Sequence, residues 1–466
     1  MKKKRIIIIG AGVAGKLVAH DILYNSKISG LYEISGFLDD HQTGIITDGI
    51  RVIGTIVDAT SLIKEYRPDE VIIAIPSADY TLINRIVRNV GNTGVTIKIV
   101  PGIYEIIKGS VKFSQVREID PVDLLGREEI DFEVEELAGF YHNLNIMVTG
   151  AGGSIGSEIV RQLLLLPVKS VIVIGRGENS IHSLLGDIHG DNRIIPIIGD
   201  VRDRSKIAFV TSRYKPDIVF HAAAHKHVPF MEDNPDEAIK NNIIGTYNCA
   251  SESLINNVKK FVLVSTDKSV KPSSVMGMSK SFAEKIILSM NEKQQTRFQA
   301  VRFGNVLGSR GSVIPVFNKQ IENGGPVTVT DPEMTRYFMS IREAARLVVK
   351  SATINDGDIY ILDMGKPIKI VDLARSLISL HGYNEDQIGI VFTGVRKGEK
   401  LHEELASDNE DLCETKYQKL MVLSKDRDRI SLSTADRIIE FFLDIGNIFD
   451  EKTLRDALFN NQLLEK

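Results

Sequence analysis

Thr266, Asp267 and Lys268 follow one another directly, at the end of an apolar stretch that runs from Phe261 to Ser265. A hydroxyl, a carboxyl and an amine side by side can hold a substrate hydroxyl and pass protons as base and acid. Further on, Pro272-Ser-Ser274 marks a loop that starts a helix. On that helix Met276 and Lys280 stand four apart and share a face. A second polar cluster is His221-Ala-Ala-Ala-His-Lys-His-Val-Pro229. Small residues such as Ala222 and Ala223 let a flat ring lie on backbone. The imidazoles and the Lys226 ammonium suit an anionic or polar substrate. A lone histidine is usually structural, so none of these three is a catalytic candidate. No acid or thiol cluster stands at ligand spacing, so no metal is expected.

These groups need elements to hold them. The apolar run Ile146-Met147-Val148 enters a turn with Gly150, Gly153 and Gly156, and a helical pattern follows with Ile159, Val160, Leu163 and Leu164 on one face. A strand, a glycine turn and a helix in that order make a dinucleotide pyrophosphate site, here formed by Gly150, Gly153, Ser154, Ile155 and Gly156. Its spacing is G-x-x-G-x-x-G rather than the commoner G-x-G-x-x-G. Further short apolar strands are expected at 171–174, 194–198, 217–221, 261–265 and 299–303, separated by helices. That alternation implies a parallel, doubly wound sheet with ligands beyond the carboxyl ends of its strands. After the second strand, Arg176 favours the 2′-phosphate of NADP, while Glu178 could serve NAD. Asp200 and Val201, after the third, are expected to edge the adenine.

The first hundred residues repeat the theme. Arg5 to Ile9 reads as a strand and leads into Gly10-Ala-Gly12-Val-Ala-Gly15, with strands at 34–38, 70–75 and 96–100. Little chemistry decorates its strand ends beyond Pro76-Ser-Ala-Asp79, so a regulatory or structural role is expected, with its ligand left open. The expected fold class is therefore α/β, with two Rossmann-like doubly wound parallel-sheet domains. Residues 1–105 form the first, 106–144 a linker and 145–466 the second, which carries a small C-terminal substrate-binding lobe. The linker is acidic, with Glu128, Glu129, Asp131, Glu133, Glu135 and Glu136, as a solvated face would be. After Leu405 the sequence suggests only helices.

Bulk properties exclude several classes. The 466 residues carry a net charge of −4, which gives no broad attraction to nucleic acid or membranes. Two cysteines without a partner motif suit a reducing compartment. No apolar run approaches the ~20 residues of a membrane span.

The strand ending in Ser-Thr, followed by a Tyr-x-x-x-Lys position, resembles the extended short-chain dehydrogenase/reductases that modify nucleotide sugars. In this chain Met276 holds the Tyr position and Lys280 the Lys. Thr266-Asp267-Lys268 and Met276 together resemble the large bacterial UDP-N-acetylglucosamine 4,6-dehydratases of polysaccharide biosynthesis. Further matches are His221 to Pro229, Arg302-Phe-Gly-Asn-Val-Leu-Gly-Ser309, Met334-Thr-Arg-Tyr-Phe-Met339 and Arg396-Lys-Gly-Glu-Lys400. The resemblance implies a tightly held, recycled NAD or NADP and a UDP-sugar substrate. It implies that Lys268 takes the C5 proton, that Asp267 protonates the leaving C6 hydroxyl and that Lys280 holds the nicotinamide ribose. Thr266 can hydrogen-bond the C4 hydroxyl. Which group takes the C4-hydroxyl proton stays open, because Met276 cannot. Asp267, directly or through Thr266, is one route. Lys226, Asn305, Ser309, Arg310, Arg336 and Arg396 are the expected substrate grips, since guanidinium pairs well with phosphate. Such enzymes usually carry membrane helices ahead of the first domain. None is seen here, so a cytoplasmic homo-oligomer without a membrane span is expected. A 4-epimerase, or a non-catalytic nucleotide-sugar sensor, are the rival readings.

Overall fold

In the computed structural model, residues 3–42, 44, 46–47, 49–100, 113, 116–125, 134–188, 190–407, 410–423, 429–460 and 463 are described. Glu128, Glu129, Asp131 and Glu133 of the acidic stretch lie outside them. The chain is α/β and forms two compact units, whose bounds differ from the expected 1–105, 106–144 and 145–466. One comprises Met1–Glu129, Gly311–Met334 and Ile368–Gly394. The other comprises Ile130–Arg310, Thr335–Pro367 and Val395–Lys466.

The first unit is built on a sheet whose central strands, Tyr32–Leu38, Lys4–Ile9, Glu70–Ile73 and Thr96–Ile99, run parallel. Ile6 to Ile9 are fully buried, as an unbroken apolar run covered on both faces must be. A short strand, Arg117–Glu118, pairs antiparallel with Thr96–Ile99, so part of the expected linker is sheet. The helix Ile370–Leu380, inside the expected second domain of 145–466, packs instead on the helix Tyr80–Gly91 of this unit. Its Leu373, Ala374, Leu377 and Ile378 are buried, and Arg88 reaches Asp372 at 3.0 Å. A cavity of about 620 Å³ lies over the first glycine turn, lined by Gly10, Gly12, Asp39, Asp40, Ser77 and Arg85 among others. Asp39 there accepts from the Ala11 N–H at 2.8 Å. Asp79, the acid of the one polar cluster expected at a strand end, caps the next helix through Leu82 N–H at 2.9 Å.

The second unit has one large sheet. Its strand order is Ile194–Ile198, Ser170–Gly175, Asn145–Thr149, Ile218–His221, Lys260–Val264, Arg297–Arg302, Ile359–Leu362, Leu420–Leu423 and Leu412–Glu414. The first seven run parallel, and Leu420–Leu423 runs antiparallel to both of its neighbours. The order reverses direction at Asn145–Thr149, which puts a crevice beyond that strand and Ile218–His221. The antiparallel pair corrects the all-helix expectation after Leu405. Those strands are three and four residues long, too short to show a period in sequence. The segment just before them, with Thr335–Pro367, joins the same unit rather than forming a separate lobe.

Candidate active site

The glycine turn explains how the site begins. Gly150 adopts φ +66°, and a Cβ there would stand 2.6 Å from the Ala223 backbone nitrogen. A Cβ on Gly156 would stand 2.3 Å from the Gly150 carbonyl oxygen. The turn, the start of the helix Ser154–Leu164 and the Ala222-Ala223 backbone are thus pressed together. The N-cap of that helix, Gly153, offers no side chain to its first amides. Those amides and the positive dipole end are left for an anion, which fits a dinucleotide pyrophosphate. Ile155 is half-buried beside them.

At the next strand ends, Arg176 is exposed and 4.0 Å from Asp200. Asp200 is held by Arg202, at 2.7 Å for the closest pair, and Arg202 also binds Glu237 at 3.1 Å. Burial pushes the Asp200 carboxyl up, but the hydrogen bonds and charge of Arg202, with the charge of Arg176, hold it below its ordinary value. Val201 is buried beneath.

The imidazole of His221 is buried, sharing hydrogen bonds with Thr149 Oγ1 at 2.7 Å and Thr246 Oγ1 at 3.0 Å. Thr246 already donates to the Asn242 carbonyl, so its oxygen accepts from His221 Nε2–H, and Nδ1 accepts from Thr149. Burial, helped by the Lys280 charge, lowers its pKa to about 3. His221 is therefore a neutral structural tie. Asn242 lies in a π-helical turn, Ile239–Ile244. Its side chain binds both the N–H and the carbonyl of His225, at 2.8 and 3.0 Å, and its Nδ2 also donates to Ser279 Oγ at 3.0 Å. It fixes the loop after Ala223. Sequence reasoning missed it, although adjacent Asn241-Asn242 inside an apolar helical pattern was the available signal.

The acid–base group follows Lys260–Val264. Thr266 Oγ1 donates to Asp267 Oδ1 at 2.8 Å, and Lys268 Nζ donates to the same oxygen at 3.0 Å. Lys268 also donates to Asn305 Oδ1 at 3.2 Å. Asp267 is fully buried, and among the described residues its Oδ2 has no hydrogen-bond partner. A buried carboxylate oxygen without a donor is costly unless a ligand or water meets it. Behind this loop lies a charged pair that the sequence reading did not find. Arg302 Nη2 binds Glu284 at 2.8 Å, and Glu284 also accepts from Ser265 and, at 2.8 Å, from Ser269. Burial pushes the Glu284 carboxyl up, but the charge and hydrogen bonds of Arg302 and the serine hydroxyls keep it below its usual value. Two of its partners flank Thr266-Asp267-Lys268, so the pair clamps that loop onto the helix Val275–Ser289. On that helix Met276 is buried among apolar neighbours and carries no proton. Lys280 donates to the Val264 carbonyl at 2.9 Å. Burial lowers its pKa to about 8, against the pull of Glu284.

The expected substrate grips fall into different places. Lys226 donates to Ser309 Oγ at 3.2 Å, which joins two of them. Arg310 instead turns to the glycine turn: its Nη2 donates to the Gly152 carbonyl at 2.6 Å and its N–H to Ser154 Oγ at 3.2 Å. Arg336 is buried and donates to the Thr335 and Leu401 carbonyls at 2.7 and 3.1 Å. Glu403, also missed in the sequence, lies beside it and 3.7 Å from Lys268. Arg396 is exposed. Nearby, buried Glu232 accepts from the Val275 N–H at 2.7 Å and pairs with Arg455, while a Cβ on Gly398 would stand 2.8 Å from its Oε1. Glu232 thereby seats the Arg396–Lys400 loop against the start of the helix that carries Met276.

Comparison with known proteins adds the following. Residues 146–425 match the family described as polysaccharide biosynthesis protein, and residues 1–101 match a family described as CoA-binding domain. The capsular polysaccharide biosynthesis protein CapD of Staphylococcus aureus is 44% identical, over 98% of this chain and 77% of its own. An inverting UDP-N-acetylglucosamine 4,6-dehydratase of Campylobacter jejuni is 33% identical, over 61% of this chain and 84% of its own. A UDP-glucose 4-epimerase of Rickettsia bellii is 35% identical, over 57% of this chain and 78% of its own.

Proposed function

The chain belongs to the polysaccharide biosynthesis protein family, and on that premise we propose that it dehydrates a UDP-N-acetylhexosamine to the 4-keto-6-deoxy sugar nucleotide. UDP-N-acetylglucosamine is the proposed substrate. The observation that carries the reading is the Thr266-Asp267-Lys268 group, with a buried and unmatched Asp267 oxygen, at a strand end of the same sheet as the glycine turn.

The tightly packed turn and the uncapped helix start fit NAD or NADP, which when bound supplies a recycled hydride acceptor for sugar C4 and a donor for C6. Gly150, Gly153, Ser154, Ile155 and Gly156 hold its pyrophosphate, with Arg310 bracing the turn. Arg176, Asp200 and Val201 would hold its adenosine end, Ala222 and Ala223 its ring, and Lys280 its second ribose.

The chain's own residues move the protons. Thr266 Oγ1 receives the C4 hydroxyl and is already bonded to Asp267 Oδ1, so the proton has a path to that carboxylate. This route serves in place of the Tyr that Met276 replaces. The C4 ketone acidifies the C5 proton, and Lys268 Nζ takes it. Asp267 then returns its proton to the C6 oxygen, and one water leaves. Lys268 finally gives its proton back to C5. Asn305 orients Lys268. Lys226, Ser309 and Arg396 grip the UDP side.

The proposed setting is the cytoplasm, which suits two unpaired thiols, Cys249 buried and Cys413 exposed. Among the described residues no helix is long and apolar enough to cross a membrane. Incubation with UDP-N-acetylglucosamine and mass spectrometry of the products tests the reading. Loss of one water supports it. An unchanged mass with an altered sugar would establish a 4-epimerase, and no conversion would favour a sensor.

A further inference from the structure

Lys268 is the proposed C5 base, so its ammonium must form inside the site as the proton leaves carbon. The group that meets that new charge is part of the chemistry. Asp267 is one neighbour, at 3.0 Å, but it also handles the proton of the C4 hydroxyl and then of the C6 oxygen. Asn305 is a neutral acceptor. A second carboxylate stands on another segment: Glu403 Oε1 lies 3.7 Å from Lys268 Nζ. The same oxygen is 3.9 Å from Arg336 Nη2. Glu403 is buried, and among the described residues its Oε2 has no hydrogen-bond partner. Lys268 keeps 18% of its side chain exposed, against 4% for Glu403.

Asp267, Lys268, Glu403 and Arg336 form a buried set of two acids and two bases. Arg336 is locked by the Thr335 and Leu401 carbonyls. Leu401 is two residues from Glu403, so the anchor that fixes Arg336 also fixes the backbone carrying Glu403. Lys271 binds the adjacent Glu404 at 2.8 Å, and Lys400 donates to the Val270 carbonyl at 3.0 Å. The 400–404 segment is therefore laced along the 268–271 loop on both sides of Glu403.

We propose that Glu403 is the positioning residue for the C5 step: its carboxylate holds Lys268 and favours the ammonium that forms when Lys268 takes the C5 proton. It acts through Lys268 and takes no part in C4 oxidation, which runs through Thr266 and Asp267. A low local dielectric makes such a fixed charge strong, because nothing must reorganise as the proton arrives. Arg336, 3.9 Å from the same Glu403 oxygen, stands on its other side as a fixed positive charge.

The assignment rests on the dehydratase reading, and one experiment separates the two. Wild type, Glu403→Gln and Glu403→Asp are each incubated, as full chains, with UDP-N-acetylglucosamine in deuterated buffer. C4 oxidation is followed by the near-ultraviolet absorbance of reduced cofactor, and the C5 step by deuterium gained at C5. Melting temperatures establish that each variant is folded. In Glu403→Gln, deuterium uptake and water loss fall by about tenfold or more, while C4 oxidation stays within about twofold. Reduced cofactor then accumulates. Glu403→Asp restores part of the C5 rate. If Glu403→Gln slows both steps alike, or neither, the assignment of Glu403 is overturned. If wild type itself releases no dehydrated product, it is the reading of the function that falls.

Discussion

Replacing Gly156 by alanine tests the cofactor cradle with a single methyl group. In an exposed helix position that exchange stabilises by about 1 kcal/mol, because alanine is the better helix former. At Gly156 the structure reverses the sign. The new Cβ would meet the Gly150 oxygen at 2.3 Å, its carbonyl carbon at 2.8 Å and the Ala151 Cα at 2.9 Å, where ordinary contact begins at 3.4 Å. All three are backbone atoms, so no side chain can swing away. The helix start must retreat by about 1 Å from the turn, and its amides retreat with it. Misplacement on that scale costs about 10²-fold in a positioned interaction. Cofactor affinity is therefore expected to fall by about 10²-fold, or about 2.7 kcal/mol. Isothermal titration with NAD and NADP measures it, with a thermal melt to establish folding. Gly153→Ala is the matched control. Its Cβ would come no closer than 3.1 Å to the Gly150 oxygen, so a few tenths of an ångström suffice and the loss stays below about tenfold. Gly12→Ala in the first unit meets nothing within 4 Å and leaves turnover unchanged. Wild-type affinity in Gly156→Ala, or an equal loss in Gly153→Ala, would refute the reasoning.

Three other outcomes follow from the same geometry. Lys268→Ala and Asp267→Ala each lower turnover by about 10²–10⁴-fold in a product assay, as removal of a general base or acid does, and wild-type turnover in both would remove them from the mechanism. Glu284→Ala leaves the buried Arg302 guanidinium with Glu410 alone, at 3.0 Å, and lowers unfolding free energy by about 1–3 kcal/mol in urea melts, whereas a change near zero would mean that the pair does not clamp the loop. His221 carries a pKa of about 3 in the folded chain against 6.5 ordinarily, so its contribution is fully present above pH 6.5 and is lost as acid protonates the unfolded chain first. Between about pH 6.5 and about pH 5.5 wild type should lose about 1 kcal/mol more than His221→Asn, and equal losses in the two chains would show that this imidazole is not buried neutral.

Much of this architecture was legible in the residues themselves. The parallel strands announced themselves as short apolar runs, and Ile194–Ile198 was placed to the residue. Gly150 and Gly156 were legible because close backbone approach admits only one residue type. Thr266, Asp267 and Lys268 were legible because the polar groups are contiguous. What escaped shares a different character. Glu403 meets Lys268, and Glu284 meets Arg302, only through the fold, and an ion pair between distant segments leaves no local pattern. Arg336 looked like a phosphate grip by type, yet its hydrogen bonds turn it toward the interior. Arg310 likewise suits a phosphate by type, but it donates to the Gly152 carbonyl. The helix Ile370–Leu380 has an ordinary amphipathic pattern, and nothing in that pattern says which unit receives its apolar face.

The central claim is that one site oxidises C4, removes water across C5 and C6, and returns the same hydrogen to C6. Substrate deuterated at C4 tests it most directly. The chain should release a 4-keto-6-deoxy product that has lost one water and carries the C4 label in its C6 methyl group, as read by mass spectrometry and NMR. A label that remains at C4, or is lost to solvent, would contradict the account.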